Sequence, residues 1–408
     1  MEVAEVIKLV VVIAVIIISI VIKWRLEYAI FCSSLLLGVF YGVNSNLILK
    51  TFFLTLIDES TLRLVGIVIL VYLFSGILNK IESLANLVSS LRGLFKDYRF
   101  IMAIVPALLG LIPMPAGAIF SAPMVKEVGE ESGLTSEENT FINYWFRHIW
   151  EPILPLIPSL LLFITLLKVD IRDIVRIQFP LFITAVITGL IWEYKNLRPI
   201  NRVVTKESIL FNLKKLWLCI WPIIFILVLV MVVKIDILVS LVVVIFILWL
   251  VNIKRLNCIS IKKIIRKSFD LEVLALVTGV MFFQKMLITS RAIEVIPGVF
   301  TRLSISIPIL IFSVPLVIGV ITGLSSATFG ITIPLLLPIM MIKGEVNLYY
   351  AMLFFTGQFI GLMLSPLHLC LIVTRDYFKA DLGQVYKMMA FPLVSIALVA
   401  FIQVIIHV

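Results

Sequence analysis

Apolar stretches long enough to cross a lipid bilayer recur along the whole chain, and nothing else in the sequence narrows its folding as much. A segment such as ILVSLVVVIFILWLV at 237–251 offers water almost nothing to solvate. Crossing roughly 30 Å of hydrocarbon takes about 20 such residues in a helix. Of the 408 residues 62% are hydrophobic and 14% charged, and the mean hydropathy is +1.18, far from the balance of a soluble domain. The runs are continuous and do not alternate, which excludes a β-barrel. The fold class is therefore all-α, a polytopic membrane protein.

Leu9 to Ile22 is preceded by Glu2, Glu5 and Lys8 and followed by Trp24 and Arg25 without a small-x-small cleavage site, so it is read as a retained helix and not a leader. Cys32, Cys219, Cys258 and Cys370 are scattered without a C-x-x-C pair and are read as packing or loop residues. The formal charge of +10 comes from basic residues in short loops. Lys195, Arg198, Arg202, Lys206, Lys214 and Lys215 form one cluster, and Lys254, Arg255, Lys262, Lys263, Arg266 and Lys267 another. Basic loops of this kind stay cytoplasmic and meet anionic headgroups, so the expected partner is the bilayer and not nucleic acid.

Taken in order, the runs give spans at 5–23, 27–43 and 61–80, a Pro/Gly-broken stretch at 98–128, an interrupted span at 139–167, and a span at 174–194. The same order returns at 216–234, 236–253, 270–289, 304–342, 348–373 and 386–406, an offset of about 210 residues. The reading is two repeats, 1–195 and 216–408, joined by a basic cytoplasmic linker at 196–215. Each repeat has five transmembrane helices and one re-entrant hairpin. An odd number of crossings inverts the second repeat. Loops 23–26, 80–99 and 254–267 then lie inside, while 43–60, 168–173, 343–347 and both termini lie outside the cell membrane. Inverted repeats with paired broken elements are the usual build of alternating-access carriers, which bind substrate where the breaks meet.

The first broken stretch, LLGLIPMPAGAIFSAPMV, is interrupted at Pro113, Met114, Pro115, Ala116, Gly117 and Ala118. The halves on either side are too short to cross alone, and a helix starting near Ala116 to Ala118 offers free N–H groups to an anion. A continuous, proline-kinked span is the plainer alternative. The second stretch, GLSSATFGITIPLLLP, places Ser325, Ser326, Ala327 and Thr328 between Gly323 and Gly330. Hydroxyls inside an apolar run must cap a helix, bind backbone or face a ligand, and any of the three is a candidate N-cap.

The interrupted spans add ionisable groups: Arg147, His148 and Glu151 before Pro152, and Ser365 and His368 around Pro366. Charges at this depth default to functional roles. Arg147 and Glu151, spaced i, i+4, either neutralise each other or leave Arg147 to pair with an oxyanion. His148, Glu151, Pro152, Ser365, Pro366 and His368 are candidates for the coupling ion, the histidines because imidazole titrates near neutral pH. Two histidines near two breaks are equally compatible with chance placement.

The segments LLGLIPMPAGAIFSAPMV, GLSSATFGITIPLLLP and GLMLSPLHLCLIVTRDYF resemble the prokaryotic membrane family named domain of unknown function 401. That family is grouped with the ion-transporter superfamily of dicarboxylate, citrate, gluconate, lactate and arsenite carriers. The resemblance implies a homodimeric elevator-type carrier whose hairpin tips and broken helices hold substrate and cation. Sodium-dicarboxylate carriers have a Ser-Asn-Thr motif at both tips, whereas the first tip here has no hydroxyl before Ser121. Sodium and protons therefore both stand as the coupling ion.

The expected function is secondary active transport of a small organic or inorganic anion, with no catalytic residues, cofactor or resident metal assigned. Two alternatives remain. One is a membrane-embedded enzyme gathering a metal at His148, Glu151 and His368, although H-E-x-x-H and G-x-S-x-G motifs are lacking. The other is a passive anion channel.

Overall fold

The computed structural model describes residues 2–22, 24–81, 90–91, 94, 98–112, 117–196, 206–256, 258–295 and 306–408. Pro113, Met114, Pro115 and Ala116 of the first hairpin, and Arg198 and Arg202 of the linker, lie outside the described residues.

The first half opens with α1 (Glu2–Val21) and α2 (Leu26–Phe40). Asn44 accepts the Asn46 N–H and starts α3 (Ser45–Leu56), a helix inside the stretch read from sequence as an outer loop. Asp58 accepts the Thr61 N–H and starts α4 (Glu59–Lys80). Next come α5 (Tyr98–Gly110) and α6 (Ala118–Ser132), which ends at Gly133 with φ 73°. A capping box between Thr135 and Glu138 opens α7 (Ser136–His148). Residues 149–157 turn without continuing it, and α8 (Pro158–Leu167) begins with a proline in its first turn, where the missing N–H costs nothing. α9 (Ile171–Asn196) closes the half.

The second half begins with α10 (Lys206–Leu227), prolonged by a π-helical turn at Val228–Val232. Asp236 caps α11 (Ile237–Val251) and Asp270 caps α13 (Leu271–Thr289). Between them lies α12 (Cys258–Ser268), whose Lys262, Lys263, Arg266 and Lys267 belong to the predicted inner loop. α14 (Ile307–Thr322) stops at Gly323, whose φ of 64° suits a residue without Cβ, and α15 (Ser325–Met340) follows after Leu324. A small antiparallel pair, β1 (Met341–Ile342) and β2 (Glu345–Val346), leads to α16 (Leu348–Leu364), α17 (Leu369–Phe378) and α18 (Leu382–His407).

Among the described residues six helical runs are long and apolar enough to cross a membrane, namely those at Glu59–Lys80, Ile171–Glu193, Ile209–Val232, Ser260–Thr289, Leu348–Phe378 and Leu382–His407. Their outward faces suit lipid. Phe179, Ile183, Ile187 and Ile191 form an exposed i, i+4 stripe on α9, and Phe391, Val394, Leu398, Ile402 and Ile405 another on α18. The chain is a helical, multi-pass membrane protein.

The helix pair that positions the site is α14 on α16. A Cβ added to Gly357 would lie 2.1 Å from the Phe312 carbonyl oxygen, and one on Gly361 2.2 Å from that of Leu316. Ser365 Oγ donates to the Val320 carbonyl at 2.7 Å, and His368 Nδ1 meets the Gly323 carbonyl at 3.0 Å. Contacts advance in step along both chains, so the helices run parallel. The spacing Gly357-x-x-x-Gly361 lets the backbones touch, as small residues do between membrane helices.

Candidate substrate site at the helix breaks

The breaks after α7 and α16 meet the start of α15 around one cavity of about 340 Å³. Its lining includes Arg147, His148 and Glu151 from the first half, and Gly323, Ser325, Ser326 and His368 from the second. These residues lie far apart in sequence and are joined only by the packing of both halves.

Each side chain has a local reason for its place. α7 ends at His148, so Arg147 and His148 occupy its last turn, where cationic groups complement the carbonyl end of the helix. Arg147 and His148 are buried, at 7% and 5% exposure. Arg147 is close enough to Cys370 and Glu151 to interact with both. His368 is the N-cap residue of α17, but its side chain does not cap the helix; it turns to the Gly323 carbonyl. The two imidazoles meet with Nε2 atoms 3.1 Å apart. Tyr144, one turn before His148, sets its ring 4.7 Å from that of His148 and 5.7 Å from that of His368.

The start of α15 departs from one expectation. None of Ser325, Ser326 and Thr328 is the N-cap; Leu324 holds that position with extended backbone and no side-chain cap. Thr328 is buried and hydrogen-bonds the Leu324 carbonyl and Thr322 Oγ1. Ser325 and Ser326 lie in the first turn, on the cavity. The physical reason is the glycine turn: Gly323 closes α14, Leu324 takes the N-cap position directly after it, and α15 has already begun by the time the hydroxyl residues are reached. The first-turn N–H groups, which an α-helix cannot satisfy internally, include those of Ser325 and Ser326, two residues that line the cavity.

Other predicted residues serve packing. Ala327 and Gly330 are buried, with Gly330 against Val280, where a Cβ would approach to 2.5 Å. Ser365 is spent on Val320 and the Leu367 N–H. Pro152 is buried away from the cavity lining, and Pro366 is exposed. Gly117 is the N-cap of α6 and, like Leu324, supplies no side-chain cap. The Ala118 carbonyl accepts from Asn143 Nδ2 at 3.1 Å, and the same amide reaches Thr374 Oγ1 at 3.3 Å, tying α6, α7 and α17 together.

Sequence reasoning missed Cys370, Tyr144, Ser159 and Asn143. Cys370, read as a packing residue, lines the cavity and contacts His148. Its signal was the H-L-C spacing directly after the break at Pro366. Tyr144 and Asn143 had no comparable signal, because a polar residue on a buried helix is common and only the fold says what it meets. Two larger clefts, of about 680 and 490 Å³, share Lys168 and Asp170 and are lined by Asp58, Lys285 and Glu345 in one case and by Arg63, Lys234 and Asp236 in the other.

Fold and site together define a multi-pass helical membrane protein whose interrupted helices enclose a largely apolar cavity that carries a few ionisable side chains. Among known families, the profile described as "Protein of unknown function (DUF401)" matches residues 5–406. The chain belongs to that family. No curated protein matches it.

Proposed function

We propose that the chain is a secondary active transporter of a small organic or inorganic anion, driven by a sodium or proton gradient through alternating access of the elevator type. The observation that carries this reading is the composition of the 340 Å³ cavity: a buried arginine and an uncapped helix start face one space lined from both halves. A guanidinium and free N–H groups together select an oxyanion or carboxylate.

Two inverted repeats are part of the proposal. The series α2, α3, α4, α5, α6, α7, α8, α9 is followed about 210 residues later by α11, α12, α13, α14, α15, α16, α17, α18 in the same order. Packing also survives the exchange of halves. α2 packs on α13 as α11 packs on α4, α3 on α13 as α12 on α4, α8 on α15 as α17 on α6, and α7 on α18 as α16 on α9. The equivalent helices α4 and α13 run in opposite directions, since Asp58 at the start of one meets Lys285 near the end of the other. In this reading α5–α6 and α14–α15 are the re-entrant hairpins. The 16 residues of α14 rise only about 24 Å, less than the hydrocarbon thickness. We place the linker 196–215 in the cytoplasm and both termini outside, and we group the family with the homodimeric carriers of the ion-transporter superfamily.

The test is reconstitution. Protein in liposomes should accumulate a labelled dicarboxylate, monocarboxylate or inorganic oxyanion above its outside concentration only under an imposed sodium or proton gradient. Flux that equilibrates every anion without a gradient would point to a channel, and no flux with any of them would remove the proposal.

A further inference from the structure

The hydrogen bonds of the histidine pair fix the proton positions on both rings. His148 Nδ1 lies 2.7 Å from the Tyr144 carbonyl oxygen and His368 Nδ1 3.0 Å from the Gly323 carbonyl oxygen. A carbonyl only accepts, so each Nδ1 carries a hydrogen and donates it. In the neutral rings each Nε2 is then a bare lone pair. The structure sets these two lone pairs face to face at 3.1 Å. Two acceptors in contact repel unless a cation, either an added proton or a metal ion, lies between or beside them.

The third member of the cluster separates the two. Cys370 is buried at 8% exposure, and its Sγ and the two histidine nitrogens all lie within 4.8 Å of one another. A shared proton uses only the two nitrogens and leaves the sulfur a weak thiol hydrogen bond to His148. A tetrahedral metal uses all three. Two bonds of about 2.0–2.1 Å at a tetrahedral angle hold nitrogens about 3.3 Å apart, close to the spacing found. Donation of Nδ1–H to a backbone carbonyl is also the usual support of a metal-bound imidazole, because it fixes the tautomer and aims Nε2 at the ion.

We propose that His148 Nε2, His368 Nε2 and Cys370 Sγ bind a thiolate-preferring d¹⁰ transition-metal cation of the Zn²⁺ class. Imidazole with thiolate favours such an ion over sodium, magnesium or calcium, which take oxygen ligands. Binding displaces the thiol proton of Cys370 to solvent and changes no oxidation state. Three protein ligands leave a fourth position, and all three line the cavity that holds Arg147 and Glu151. Because the ligands line the space assigned to the anion, a bound metal would offer a Lewis-acidic contact there beside the guanidinium. The site spans both halves, with one ligand at the end of α7 and two at the start of α17.

The inference stands on geometry, and its test does not depend on transport. Chelator-stripped protein in detergent should take up about one equivalent of Zn²⁺ per chain. With Co²⁺ it should show tetrahedral d–d bands and a near-ultraviolet thiolate-to-cobalt charge-transfer band. Cys370→Ser should abolish the charge-transfer band and weaken Zn²⁺ binding by more than about tenfold, and His148→Gln and His368→Gln should weaken Zn²⁺ binding to a similar extent. Cys219→Ser, a buried cysteine elsewhere, should change neither reading. If a histidine variant fails to fold, Cys370→Ser and the parent spectrum still decide. A Co²⁺ spectrum without the charge-transfer band, or Zn²⁺ binding unchanged in Cys370→Ser, overturns the proposal. Gradient-driven uptake by metal-free protein would sink only the metal's part in anion binding, while Zn²⁺ binding without any anion uptake would sink only the transport reading.

Discussion

Lys285 Nζ donates to Asp58 Oδ1 at 2.7 Å, and the bond joins the N-cap of α4 to the last turns of α13. The two groups are 27% and 29% exposed, so the pair is partly shielded from water. Burial tends to raise the Asp58 carboxyl, but Lys285 and the Thr61 N–H outweigh it and hold the group below its ordinary value. A depressed carboxylate contributes stability that is present above the unfolded value near pH 3.9 and is lost as pH falls through the folded one. Asp58→Asn should therefore lower the thermal midpoint at neutral pH by the equivalent of about 0.5–1 kcal/mol, with the gap to the parent closing under acid. A gap that stays constant from pH 7 to about pH 3 would show that the ion pair contributes nothing.

The glycine contacts of α16 make a sharper prediction. Gly357→Ala and Gly361→Ala each drive a methyl group into a backbone oxygen that cannot move without shifting α14. Each should cost about 2–4 kcal/mol, in the range of overpacked interiors. Gly66→Ala is the control, since its Cβ would meet only Leu238 at an ordinary 3.7 Å. Thermal midpoints in detergent decide, and equal values for all three variants would contradict the close approach.

Arg147→Ala should reduce uptake of the transported anion by roughly tenfold or more, the scale of a lost charge-assisted hydrogen bond. Ser326→Ala, which removes a neutral hydroxyl from the cavity, should reduce it about two- to tenfold. Surface expression and insertion should be unchanged in both. Uptake at parental rates in both variants would leave the cavity without its assigned contacts.

Asn143 ties three helices through one buried amide. Asn143→Ala removes both bonds and leaves the Ala118 carbonyl to the Ser121 hydroxyl and its own helix, at a cost of about 1–3 kcal/mol for the two lost bonds. Asn143→Asp should be worse, because a carboxylate cannot donate to either acceptor. A midpoint for Asn143→Asp equal to or above that of Asn143→Ala would mean that the amide is not donating as described.

Much of the helix plan was legible because hydrophobic runs and their punctuation are local signals. The breaks read at Pro152, Gly323 and Pro366 act within a turn of themselves, and the helices do stop beside them. α3 was not legible, because Ser45–Leu56 is too short to read as a span and too apolar to read as a cap-bounded surface helix. α12 was hidden by its lysines, which mark an inner loop whether or not the loop coils. At the site, Arg147, His148, Glu151 and His368 stood out because charge is rare among apolar residues. Cys370 did not, since a thiol in an apolar run is ordinary and acquires chemistry only from His148, more than two hundred residues away in the chain. Ser325, Ser326 and Thr328 looked alike in sequence, and only the register of α15 sends two to the cavity and one to its own backbone.

The seam between α14 and α16 has a mechanical consequence. Four successive points, at Phe312, Leu316, Val320 and Gly323, fasten one wall of the cavity to the interrupted helix beside it. A wall stitched along its length cannot swing open like a flap, and Gly323, wedged against Leu367 and His368, is a fixed corner and not a pivot. In the transport reading proposed above, an opening to the other side would carry the wall, the corner and the interrupted helix as one block, with the bending done outside the seam.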